Sequence, residues 1–188
     1  VLAAREPDQA EPFAAVSFYG THPHLFELPY FSGEFPGAVK RAIAERMPGV
    51  TVLHANHVSG DIDMHDPHPM PDDLDERVRW FTDTNTRLGE QLAGQVVDAV
   101  GRMRDYHRPT TLVHRYNSTE DGPFKERGPR SIVNAIALDD LALLSMPGEL
   151  FHQFGLRIFA ESPFARLLLL AYNGSAGPYA APAACYEQ

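Results

Sequence analysis

Between Asp73 and Tyr106 the apolar residues Val78, Phe81, Leu88, Leu92, Val96, Val100 and Met103 fall three, four or seven apart. That spacing keeps them on one stripe of an α-helix with the charged residues opposite. Asp72 or Asp73 is placed to cap its start. A stripe this long has to be covered, so the remaining sequence must supply apolar partners. At 188 residues the chain can bury a sizeable core, and residues 1–188 read as a single domain.

The partners are legible as strands alternating with helices. Residues 13–20, rich in Phe, Val and Tyr, read as a strand, and so do residues 50–58, β-branched at their start. Between them "FPGAVKRAIAERMPG" reads as a helix: Pro36 suits its first turn, Val39, Ile43 and Met47 recur at fourfold spacing, and Pro48-Gly49 ends it. "SGDIDMHDPHPMPDD" is a loop by its Gly, Asp and Pro content. Residues 107–130 carry little pattern, and "NSTEDGPFKERGPR" within them reads as a loop. Beyond lie one or two strands turning at Asp139-Asp140, a short amphipathic helix with Leu150, Phe154 and Ile158, and a buried strand in "ARLLLLAYNGSAG". This alternation implies an α/β fold, a layered mixed sheet flanked by helices.

Composition narrows function by exclusion. A net charge of −9 leaves no basic patch to replace the counterions of a nucleic acid, so no nucleic-acid partner is expected. No apolar run approaches a membrane span, so no transmembrane segment is expected. Cys185 is the one cysteine, which rules out an intrachain disulfide without naming a compartment. The composition is that of a soluble protein, secreted or cytoplasmic alike. Nine histidines is a high count for this length, and His22 with His24, in "THPH", closes the first strand.

Each expected strand hands over to a short Gly- or Pro-bearing loop: "THPH" after 13–20, "SGDID" after 50–58, "PGE" after 141–146 and "NGSAGPY" after 166–172. Sites in α/β sheets gather outside the carboxyl ends of strands, so these four loops are expected along one edge. Imidazole, carboxylate and phenol side chains there suit zinc or a similar divalent ion, with a position left for water. The spacing contains neither HExxH nor CxxC.

Four blocks, "VSFYGTHP…SGEFPGAVKRAI", "VTVLHANHVSGDI", "LSMPGELFHQFGLRI" and "LLLLAYNGSAGPY", resemble in order those of the neutral/alkaline (non-lysosomal) ceramidases, in particular their uncharacterised bacterial branch. The resemblance spans about residues 13 to 187. It implies the ceramidase catalytic-domain fold and a zinc ion held by two histidines, a glutamate and a tyrosine. Carried over by position, the second histidine falls on His22, the glutamate on Glu149, and the tyrosine on Tyr179 with one inserted residue, Tyr186 being the fallback. The family's first metal histidine lies in an upstream Thr-His-Thr-His-like block without a counterpart here. Either the chain, which begins at Val1, lacks its N-terminal part, or a nearby histidine such as His24 or His57 substitutes.

Ceramidases also carry a nucleophilic serine two residues after Gly-Asp, where "GDID" places Asp63. An aspartate there can orient water as a base or bind a second ion but cannot be acylated. Asp61 reads as a partner that holds a ligand in place, and Asp63 or a neighbouring histidine such as His57 as the proton-handling group. The resemblance therefore implies a zinc-dependent hydrolase acting on a small-molecule or lipid-like amide. The alternatives are a non-catalytic metal- or ligand-binding domain of the same fold, and a shared scaffold with chemistry directed at carbohydrate.

Overall fold

The computed structural model describes residues 1–24, 31–118, 132–173 and 179–186. Of the loop expected over 117–130, Asn117 and Ser118 belong instead to a strand, and its remainder and the glycine-bearing turn at 174–178 lie outside the described residues. The described chain forms two compact units, neither of them one continuous stretch. The first comprises Val1–Ser17, His22–His54 and Asp63–Tyr106; the second comprises Phe18–Thr21, Ala55–Ile62 and His107–Gln188.

The expected pattern of strands and helices is present, and the architecture is α/β, mixed sheets with flanking helices. A three-stranded sheet has the order β1 (Leu2–Ala4), β2 (Ala14–Tyr19), β3 (Thr51–Asn56). β1 pairs antiparallel with β2. β2 and β3 run in the same direction, since Thr51 donates to the Phe13 carbonyl at 2.9 Å and His57 to that of Tyr19 at 3.0 Å. A parallel pair requires a crossover, and helix α1 (Glu34–Arg46) provides it.

The first unit is built on the contact between α1 and α2 (Leu74–Arg102). Asp73 caps α2, its carboxylate accepting the Glu76 N–H at 3.1 Å. Phe35, Val39, Ala42 and Ile43 of α1 pack with Ala93 and Val96 of α2, and Leu88 and Leu92 pack against that cluster. Val39 and Ile43 are fully buried, each worth about 1.5–3 kcal/mol on removal from water. Gly89 sets how closely the helices approach: a Cβ there would stand 2.8 Å from Ala38 Cβ and 3.0 Å from the Val39 nitrogen. Despite its 29 residues α2 is polar on its outer face, and no helix among the described residues is long and apolar enough to cross a membrane.

The second unit contains a four-stranded sheet ordered β4 (Leu112–Ser118), β5 (Ile132–Leu138), β6 (Leu141–Ser145), β8 (Arg166–Leu170). β5 and β6 form the hairpin expected at Asp139-Asp140, where Asp139 adopts a positive φ of 51°. β6 and β8 are parallel, joined through α3 (His152–Glu161). Val58, Met146, Leu169 and Ala171 form the buried core. A two-residue strand β7 (Glu149–Leu150) pairs in parallel with β9 (Tyr179–Ala180). β4 was not readable in advance. It is an edge strand exposed along nearly its whole length, so burial imposes no alternation on its sequence.

Candidate functional site

The loops after the strands do not leave one sheet edge. β2 and β3 belong to one sheet, β6 and β8 to another. The expectation of a single edge assumed one continuous sheet, and here the parallel pairs are divided between two.

In the second unit, three of those loops come together. After β3 the chain turns through Val58 and Ser59, both buried, and the Gly60 N–H donates to the Leu150 carbonyl at 2.8 Å. Only glycine fits this approach, because a Cβ on Gly60 would fall on the Glu149 carbonyl, 2.8 Å from its carbon. The loop after β8 is tied to the same segment: Tyr172 donates to the Gly148 carbonyl and Asn173 to that of Met146, each at 3.2 Å. Tyr172 holds a positive φ of 61° in that turn, with its hydroxyl 3.4 Å from Ser59 Oγ.

This docking brings two expected ligands together. Glu149 and Tyr179, thirty residues apart, are direct partners across the parallel β7–β9 ladder, followed by Leu150 and Ala180. Direct partners project to the same face of a ladder, so Glu149 and Tyr179 share one. Tyr186 lies instead in a short 3-10 helix and is 70% exposed.

Asp61 anchors the start of α3. One carboxylate oxygen accepts the His152 backbone N–H at 2.7 Å, and the other is bonded to His152 Nδ1 at 2.5 Å. Burial would raise the Asp61 pKa, but these bonds to His152 outweigh it and hold the group below its ordinary value. The acidic group also suits the positive end of the helix dipole. Asp61 thus holds an imidazole in place, and that imidazole is His152, a residue the sequence reading passed over. No local signal marks the pair, since 91 positions separate its members.

His57 packs flat on Phe159, with ring centroids 5.6 Å apart and planes inclined by 5°. Burial depresses its pKa, and a weak bond to the Val58 carbonyl only partly opposes this. The ring is therefore neutral at physiological pH and is occupied in packing on one face.

In the first unit, His22 is buried at 8% exposure. Its ring stands edge-on to that of His24, 5.9 Å between centroids, and its Nε2 lies 3.9 Å from Asp63 Oδ1. The Asp63 side chain is 83% exposed, so it combines a histidine neighbour with open access to water. His54 serves the core: its Nδ1 is 2.7 Å from Ser17 Oγ and its ring meets Phe35 edge-on.

One buried carboxylate went unanticipated. The Asp66 side chain, 2% exposed, takes Thr84 Oγ1 at 2.6 Å, the His68 N–H and Nδ1 at 2.8 Å each, and the Arg87 guanidinium. Burial alone would raise its pKa, and the bonds from Thr84, His68 and Arg87 override that and hold it far below the usual carboxylate range. It fastens the loop before α2 onto that helix. Among the described residues no three imidazole, thiol or carboxylate side chains cluster as a metal site.

The chain is similar in fold to the neutral ceramidases. The neutral ceramidase of Pseudomonas aeruginosa superposes with a TM-score of 0.66 at 13% identity, over 90% of this chain and 38% of that one. A ceramidase complexed with C2 gives 0.66 at 12% identity, over 90% of this chain and 40% of the other. At such identity the likeness is one of fold, and the chain spans about two fifths of the length of those proteins. No protein-family model and no curated protein matches the sequence.

Proposed function

We propose that this chain carries part of a zinc-dependent hydrolase that cleaves an amide-type bond in a small or lipid-like substrate. The observation that carries this reading is the Glu149–Tyr179 pair. Two residues that the resemblance assigns as ligands, distant in sequence, are register partners on a ladder braced by Gly60. In this reading Glu149 and Tyr179 are the ligands offered by the second unit, and His22, with His24 near it, the imidazole offered by the first. Zinc, when bound, supplies the Lewis acidity that makes water a nucleophile near neutral pH.

The chain's own residues have separable tasks in this reading. The exposed carboxylate of Asp63 accepts a proton beside His22, where ceramidases carry their serine. Asp61 holds His152 and the start of α3, keeping the Gly60 loop seated against Glu149. His57, packed on Phe159, maintains the wall of that loop.

One observation favours a second reading, a metal- or ligand-binding domain without catalysis: Asp63 cannot form the acyl intermediate available to a serine. Elemental analysis of wild type and His22→Ala, with a screen of N-acyl anilides in parallel, separates the two. About one zinc per chain, lost in the variant, with anilide cleavage by wild type supports the hydrolase. Zinc without turnover supports the binding domain. No zinc in wild type, even after zinc is added, sinks both the ligand set and the reading built on it.

A further inference from the structure

Glu34, the first residue of α1, combines two features that stability alone does not explain. Its φ is 44°, a left-handed conformation in a residue that has a Cβ, and the Ser32 hydroxyl accepts its N–H at 3.1 Å. Its Oε2 is buried and has no hydrogen-bond partner among the described residues. A strained backbone and an unsatisfied buried carboxyl oxygen both act against folding, and such conflicts concentrate at functional sites.

The surroundings indicate which function. His24, beside Glu34, stands edge-on to His22, which in turn faces Asp63. On α2, Asn85 is 4% exposed, and both its amide atoms lack a hydrogen-bond partner among the described residues. Asn85 precedes Gly89 by one helical turn, and Glu34 precedes Ala38 by one turn, where Ala38 and Gly89 mark the close approach of α1 and α2. Arg46, further along α1, donates to the carbonyl of Glu90 at 2.8 Å, so the helices run on in the same sense. The two unsatisfied side chains therefore fall at the same end of the helix pair.

We propose that Glu34 is a ligand-binding carboxylate that accepts a hydrogen bond from an O–H or N–H donor of the substrate beside the histidine loop, with Asn85 as a second polar contact. This rests on the hydrolase reading and names the group that recognises the substrate's polar end. The bound donor satisfies the oxygen that the described residues leave without a partner.

Glu34→Gln and Glu34→Gly test it. If the carboxylate is kept for binding at the expense of stability, both variants melt higher than wild type, since Gln removes the negative charge from a carboxyl with one buried, unsatisfied oxygen and Gly relieves the positive φ. On the N-acyl anilide that wild type cleaves best, Glu34→Gln raises KM at least tenfold with kcat little changed and zinc content intact. A lower melting temperature in both variants assigns Glu34 a structural role and overturns the proposal. An unchanged KM in a wild type and variant that both turn over overturns it as well. Should wild type cleave no anilide, the hydrolase reading fails on its own account and the melting comparison alone decides the fate of Glu34.

Discussion

Replacing Gly60 with alanine tests how the Glu149–Tyr179 ladder is held. The added Cβ would fall on the Glu149 carbonyl, 2.8 Å from its carbon and 3.1 Å from that of Leu150. All three contacts are backbone, so no side chain can swing aside and the loop must back away. Overpacking of this kind costs about 1–3 kcal/mol. Withdrawal also lengthens the 2.8 Å bond from the Gly60 N–H to the Leu150 carbonyl, worth roughly 1 kcal/mol more. The expected loss is therefore about 2–4 kcal/mol, a fall in melting temperature on the order of 10 °C for a chain of this size. Urea denaturation reads the loss directly, and zinc content reports whether the Glu149 region has shifted. Gly101 is the control: a Cβ there meets nothing within 4 Å, so Gly101→Ala should gain up to about 1 kcal/mol from helix propensity. If Gly60→Ala melts within a degree or two of wild type, or both alanines behave alike, then the close packing of this loop on β7 is not what holds it.

Asp66→Asn should cost about 1–3 kcal/mol, discounted because Arg87 is 42% exposed and is not left as a buried charge. The folded-state pKa of Asp66 is depressed, so its contribution is present above about pH 3.9 and disappears as pH falls below that. Acid titration of stability should be steeper in wild type than in the variant, and parallel curves would refute the assignment. His54 and His57 both have pKa values lowered by burial, so the unfolded chain takes up protons first. Their contribution is intact above about pH 6.5 and is lost as pH falls from there toward their folded values. His57→Phe, which keeps a ring against Phe159, should flatten melting temperature between about pH 5 and 6.5; an unchanged slope would exclude His57 as its source.

Periodicity and capping alone were enough to define the two long helices and most strands. The stripe from Val78 to Val100 became α2, with Asp73 as its cap, and its Phe81, Val96 and Val100 are buried as the spacing requires. The turn at Asp139-Asp140 was equally legible, because acidic residues between two apolar runs tolerate the conformation that a hairpin needs. These are local signals, and each element carries its own. Glu149 and His22 stood out for their chemical type and their place after a strand. β4 escaped notice because an edge strand held by its backbone ladder needs no hidden face. The pairing of Glu149 with Tyr179, the grip of Asp61 on His152 and the burial of Asp66 join residues 18 to 91 positions apart. Such contacts depend on where loops are carried by the elements between them. Backbone approach at Gly60, the strain at Glu34 and the depressed pKa of Asp66 exist only once those loops have docked, so they belong to the tertiary structure.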